Sequence, residues 1–439
     1  MPADATSTAT TQADSAVESP LSHAQQRFLI AEHFSPGAAD NILAQAYVLT
    51  GPLRPDALRQ ALHQVVARHP ALRTVYPWVD GRPVQRVLSA RDAGVRLQDV
   101  PAPTGGGEQP VLEAAEAIAA DWWDTPFALD REPPVRARLS RLSEDRHVLC
   151  LGFHHIAFDG WSEGVFLEDL GLAYRQALAG RSAHTGPASD GLGPGAWERD
   201  RLSDWLAEDL PYWAAALAAV PEPLLSTPRA DREAVCHELV GILPPAVAAS
   251  LTKAVERRGG PPTAAVVALA GLALGREFST SDLCLGTLTS GRFEPALDSV
   301  IGYFANPLAV TLRSVLGDAS TVVDTAAHQV LAAFEHARTP FDELVRLLKP
   351  ERARHPWFQA WAILQGTLPS GELAGGLAFT SVRVRPPRTT REWALQVFPR
   401  PDGGWELVQQ WRGDIMDHRT AASVMGYLRA AADEVGGLR

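Results

Sequence analysis

Cysteine is scarce in this sequence. Three occur in 439 residues, Cys150, Cys236 and Cys284, far apart and without a CxxC spacing. That excludes a disulfide scaffold and a thiolate cluster, and reads as buried apolar side chains in a reducing compartment. Basic charge is not in excess either: 40 Lys+Arg stand against 51 Asp+Glu, a net of −11 with neutral His. A nucleic-acid binder needs a broad cationic face, so that class is excluded. No apolar run approaches the roughly 18 residues of a membrane helix. The opening MPADATSTATTQADSAVESP carries acids and no apolar stretch, so it is not a secretion signal. A cytoplasmic protein is expected, with no nucleic-acid or membrane partner.

What is present is ordinary globular material. Hydrophobic residues make up 46% and charged residues 21%, enough to bury a core without disulfides or metals. The length suggests two to three domains of about 150 residues. Residues 1–20 have almost nothing to bury and read as a disordered tail. Gly180 to Gly195, GRSAHTGPASDGLGPG, is rich in Gly, Ser and Pro and reads as a linker over 180–196. It separates a first lobe, 21–179, from a second, 197–439. PAPTGGGEQP at 101–110 reads as a surface loop.

Hydrophobic spacing predicts helices over 22–34, 54–69, 111–123 and 162–179, with strands at 75–76, 83–88, 135–142 and 147–155. The second half predicts helices near 202–219, 246–258, 261–275, 321–337 and 419–434. Its strands fall near 283–288, 307–313, 357–364, 393–398 and 405–411. The fold class is mixed α/β (α+β).

Chemistry concentrates in His154-His155-Ile156-Ala157-Phe158-Asp159-Gly160-Trp161-Ser162, where an apolar strand ends at two histidines and a helix opens. Successive strand side chains point to opposite faces, so His154 and His155 do not both serve one site. An imidazole at a strand end can accept or orient a proton near neutral pH. Gly160 permits close approach, and amides at the helix start suit a developing oxyanion. Three other readings stay open. The pair can be satisfied core histidines beside a helix cap. His155 and Asp159 can be metal ligands, though no third or fourth follows at usable spacing. Gly160-Trp161-Ser162-Glu163-Gly164 fits a G-x-S-x-G nucleophile elbow, with Asp324 and His418 following in the right order. Five residues separate His155 from Trp161, however, where an elbow runs straight off its strand.

HHIAFDGWS resembles the HHxxxDG signature of nonribosomal peptide synthetase condensation domains, in the chloramphenicol acetyltransferase-like superfamily. Further segments resemble the family's motifs in the family's order. Ser22-His23-Ala24-Gln25-Gln26-Arg27-Phe28 resembles SxAQxRLW, and Arg68-His69-Pro70-Ala71-Leu72-Arg73-Thr74-Val75-Tyr76 resembles RHExLRTxF. Ile301-Gly302-Tyr303-Phe304-Ala305-Asn306 resembles IGxFVN; His336-Ala337-Arg338-Thr339-Pro340-Phe341-Asp342 resembles HQDVPFE; Arg354-His355-Pro356-Trp357-Phe358-Gln359 resembles RNPLFQ. The late KFDL-like segment stands as Arg391-Glu392-Trp393-Ala394-Leu395, without its aspartate. Neither the later tryptophan of epimerising relatives nor the paired aspartates of heterocyclising ones is present.

The resemblance implies two lobes in a V-shaped pseudo-dimer with a central tunnel, and segments of the second lobe crossing to the first. It implies acyl transfer from a carrier-protein phosphopantetheine thioester to an amine or hydroxyl, by a monomer that binds no cofactor or metal itself. His155 then orients or deprotonates the acceptor, His154 and Asp159 support it, and Gly160 keeps the acyl carbonyl's surroundings open. Asp159 is expected to pair with Arg73. Trp161, Ser162, Tyr303, Asn306 and Gln365 are candidate tunnel or substrate contacts. Arg346, Lys349, Arg352 and Arg354 form a candidate carrier-docking patch. A free-standing enzyme or the first domain of a synthetase is expected. A condensation-like domain that only binds partners is the alternative.

Overall fold

The structure is a computed structural model that describes residues 18–34, 36–102, 111–181, 193–225, 233–350 and 356–438. Most of the expected tail (1–17) and of the expected linker (182–192) lies outside the described residues.

The helices, in chain order, are α1 His23–Phe34, α2 Pro55–Arg68, α3 Val111–Ala119, α4 Gly160–Leu178 and α5 Pro194–Ala216. Then come α6 Pro245–Glu256, α7 Thr263–Phe278, α8 Ala319–Glu335, α9 Phe341–Leu348 and α10 His418–Gly436. Local sequence explains their ends. Proline sits in the first turn of α2, where its missing N–H costs nothing, and Pro70 follows where the helix must stop. Between them Ala57, Leu58, Ala61, Leu62, Val65 and Val66 form one buried face. In α7 every residue from Ala264 to Gly275 is buried, so this helix lies inside the second core.

Two large sheets organise the chain. The first has six strands in the order Ser370–Ala374, Leu377–Arg383, Ile42–Thr50, Arg146–His154, Val135–Arg141, Leu97–Val100. Its centre is the antiparallel pair Ile42–Thr50 and Arg146–His154, whose register sets Ile42 opposite His154. The second, seven-stranded sheet is built from the second half, with Ala360–Leu364 parallel to Trp393–Pro399 near its middle. Helices α6, α7, α8 and α10 cover one face of it in a single large core. The two sheets and their helices give the mixed α/β class expected.

Several expectations change. Strands Ile42–Thr50, Leu97–Val100, Ala234–Leu243, Ser370–Ala374 and Leu377–Arg383 were not expected. The last two leave the second half and extend the first sheet beside Ile42–Thr50. Helix α5 starts at Pro194, inside the expected linker, because proline seeds a helix's first turn. Glu18–Ser19, inside the expected tail, pairs with Gln85–Val87 as a short strand.

Candidate active site

The strand Arg146–His154 is buried along nearly all its length and ends at His154, where one 3-10 turn, His155–Ala157, begins. The two histidines part company at that junction. His154 is 1% exposed. Its Nδ1 accepts the Ile156 amide at 3.0 Å, which leaves an Nε2–H to donate to Glu32 Oε1 at 3.3 Å. Burial pushes the Glu32 carboxyl up, but donors from His154, the Gly37 amide and Asn41 outweigh it and hold the group below its ordinary range.

His155 has the opposite arrangement. Its Nδ1 lies 3.0 Å from the Phe158 carbonyl oxygen. A carbonyl only accepts, so Nδ1 carries the proton and Nε2 carries the lone pair. Nε2 has no hydrogen-bond partner among the described residues, and the ring is partly exposed. Phe28 of α1 stacks on the ring at 6.1 Å with planes 7° apart, and Tyr303 meets it edge-on at 5.6 Å. These dense surroundings push the imidazole down to about 4, with the Arg391 charge adding to the effect. The ring is therefore neutral at physiological pH and ready to accept a proton at Nε2.

Asp159 caps α4 by accepting the Ser162 amide at 3.0 Å. Its second role spans the molecule. Arg292 forks onto it through Nη1–Oδ2 at 2.7 Å and Nη2–Oδ1 at 3.1 Å, and the Phe304 amide adds a bond at 3.0 Å. Both side chains are withdrawn from water, at 0% and 3% exposed. This ties the loop after Leu283–Thr289 to the start of α4.

The expected Arg73–Asp159 pair does not form. Arg73 closes the turn Pro70–Arg73 and donates to the Leu88 carbonyl, while its Nε is buried with no partner among the described residues. The partner is Arg292, 133 positions from Asp159. Its only sequence trace is a Ser-Gly-Arg following an apolar strand. Ser162 is no substrate contact either. Its hydroxyl, fully buried, donates to Asp159 and lies 2.9 Å from the Gly302 carbonyl, 3.1 Å from the Gly302 amide and 3.2 Å from Arg292. The elbow reading fails with it: Asp324 is bound by Arg258, and His418, at the start of α10, packs against His237 and Trp411. Asn306 is likewise structural, donating to the Ala337 and Thr339 carbonyls and accepting the Phe341 amide.

Three further candidates can be placed. Gly160 opens α4, and a Cβ built there meets nothing within 4 Å. Trp161 is exposed beside it and donates to the Asp298 carbonyl at 3.0 Å. Gln365 donates to Gln396 at 2.8 Å at the end of Ala360–Leu364. Among the described residues no cluster of His, Cys, Asp and Glu could hold a metal ion.

The motif, split tautomers and buried Asp159–Arg292 pair meet a matching family: the one described as "Condensation domain" matches residues 15–435. The chain belongs to the condensation-domain family. It is 35% identical over 375 residues to "Isonitrile lipopeptide synthase" of Mycobacterium tuberculosis, covering 81% of this chain and 14% of that protein. It is 32% identical over 376 residues to "Phosphinothricin tripeptide synthetase PhsB" of Streptomyces viridochromogenes, covering 82% and 30%. The chain thus spans under a third of either relative. Among solved structures it superposes on the X-domain in its complex with OxyB from teicoplanin biosynthesis, with a TM-score of 0.79, 28% identity and 96% and 94% coverage. The first condensation domain of the CDA synthetase matches in fold, with a TM-score of 0.80, 22% identity and 96% and 97% coverage.

Condensation domains act on carrier-protein-bound substrates, and two cations of the expected docking patch can be placed. Arg346, well exposed, is bound to Glu343 one turn back on α9, so part of its charge is already offset. Lys349 follows α9 in a left-handed conformation. Arg352 and Arg354 lie outside the described residues. No described helix of this condensation domain is long and apolar enough to cross a membrane.

Proposed function

We propose that this condensation domain transfers an acyl group from a carrier-protein phosphopantetheine thioester to an amine or hydroxyl, making an amide or ester in nonribosomal peptide biosynthesis. One observation supports the reading above others: the Phe158 carbonyl fixes the proton of His155 on Nδ1 and leaves Nε2 as a free acceptor beside a helix start. In the proposed step the acceptor's N–H or O–H binds to Nε2. The heteroatom attacks the thioester carbon, the proton passes to Nε2, the C–S bond breaks, and the proton leaves with the thiolate. No covalent enzyme intermediate is needed. Holding both partners together in a tunnel entered from opposite faces supplies much of the rate. Gly160 leaves room around the acyl carbonyl.

A second reading draws on the X-domain match: a condensation-like domain that recruits a protein partner without catalysis. Intact-mass spectrometry of aminoacyl- and acyl-loaded carrier proteins incubated together with the domain separates the two. A condensed product that vanishes with His155→Ala supports transfer. No product from any loaded pair, with a partner protein retained by the wild type and by His155→Ala alike, supports recruitment.

A further inference from the structure

The first residue of α1, His23, has a carboxylate at each ring nitrogen. Nδ1 lies 2.5 Å from Glu198 Oε1 on α5, and Nε2 lies 3.2 Å from Glu343 Oε2 on α9. The His23 backbone amide donates to the same Glu198 oxygen at 2.9 Å. A neutral imidazole offers one donor and one lone pair, so it can satisfy only one of two flanking carboxylates. The other nitrogen would set its lone pair against carboxylate oxygens. Only the imidazolium satisfies both.

We propose that His23 is a protonated clasp which binds the start of α1 to α5 and α9, and so seats Phe28 against the His155 ring. The groups facing it are Glu198 from α5, Asp342 and Glu343 from α9, and Arg346, which shares Glu343. One turn along α1, Arg27 binds Asp342 at 3.0 Å. Asp342 and Tyr303 outweigh burial and raise the Arg27 guanidinium above its ordinary value, so it stays charged and keeps α9 attached while the first turn of α1 can release. Phe28 is the next residue, and it touches both His155 and Tyr303. The Glu198 bond outweighs burial and holds the His23 imidazole above its ordinary value of 6.5. The charged form is the folded one, so the clasp is complete below 6.5 and is lost as pH rises through the raised value.

The test needs no substrate, so it stands apart from the acyl-transfer reading. Histidine-labelled protein is titrated by NMR, with His23→Gln assigning the resonance. Hydrogen exchange, corrected for intrinsic rate, is followed at about pH 6 and about pH 8.5, on either side of the histidine range. The expected result is a His23 midpoint above 6.5 and several-fold faster exchange of the α1 and α9 segments at the higher pH. In His23→Gln that pH response disappears. Glu343→Gln keeps the imidazole but lowers its midpoint, which preserves the test if His23→Gln folds poorly. A midpoint at or below 6.5, or the same pH response in wild type and His23→Gln, overturns the proposal.

Discussion

At His155 one carbonyl decides which nitrogen is free, and burial decides when it is charged. With the imidazole held down to about 4, Nε2 stays unprotonated above that pH. Transfer should therefore keep its rate down to weakly acidic solution and fail as pH drops through about 4; a limb near 6.5 in a pH–rate profile would contradict this. The same shift costs stability in acid. Between 6.5 and about 4 the unfolded chain takes up a proton that the folded ring refuses, so stability falls as pH falls across that window. His155→Ala should lower transfer by about 10²–10⁴-fold, the usual weight of a general base, and leave the circular dichroism spectrum unchanged. Asp159 and Arg292 behave differently, since removing either strands a buried charge. Arg292→Ala should cost about 3–5 kcal/mol in denaturant unfolding, and Arg73→Ala distinctly less. Equal losses would return Arg73 to the site. The motif spelled out His154, His155 and Asp159, because strand, turn and cap are local. It could not spell out Arg292, because nothing in a lone arginine says which carboxylate it will reach across the fold.

Elements tell a similar story about range. Helices with one apolar stripe, such as α2 and α8, were legible to within a residue or two because periodicity is local. The strand Ala234–Leu243 was not. Val235, Val240 and Ile242 remain exposed on it, and buried and open positions alternate only over its last four residues. The hairpin Ser370–Arg383 was equally obscure, its strands being mostly exposed or half-exposed and its partner lying in the other half of the chain. Its seam with Ile42–Thr50 rests on Gly51, at φ +118, where a side chain would run into the Gly376 carbonyl. Gly51→Ala should therefore destabilise the protein, by about 1–3 kcal/mol for the strained backbone alone. A melting temperature within one degree or so of wild type would mean the seam yields freely. Ser162, deep in the α4 cap, should lose about 1–3 kcal/mol on replacement by alanine, for the polar groups it leaves unpaired.

On the scale of the molecule, the halves share their parts. Leu373, Ala374 and Leu377 belong to the same buried cluster as Tyr47, Leu149 and Phe166. Asp40 accepts from Thr389 and Thr390, and Arg385 reaches Glu116. Residues 18–181 expressed alone should aggregate, because Ile42–Thr50 becomes an open edge over an uncovered apolar face. Co-expression with 193–439 should restore solubility and yield a co-purifying pair; a soluble, cooperatively folding 18–181 would show that the hairpin is dispensable. The consequence reaches into ancestry and engineering. A crossover event between related genes that breaks at 182–192 pairs one parent's first sheet with the other's hairpin, so inheritance of a working half is tripartite. Chimeras that carry 370–383 along with 18–181 should remain intact where two-piece exchanges fail. Natural breakpoints within this domain are then expected to be rarer at the Gly- and Ser-rich stretch than its loose composition suggests.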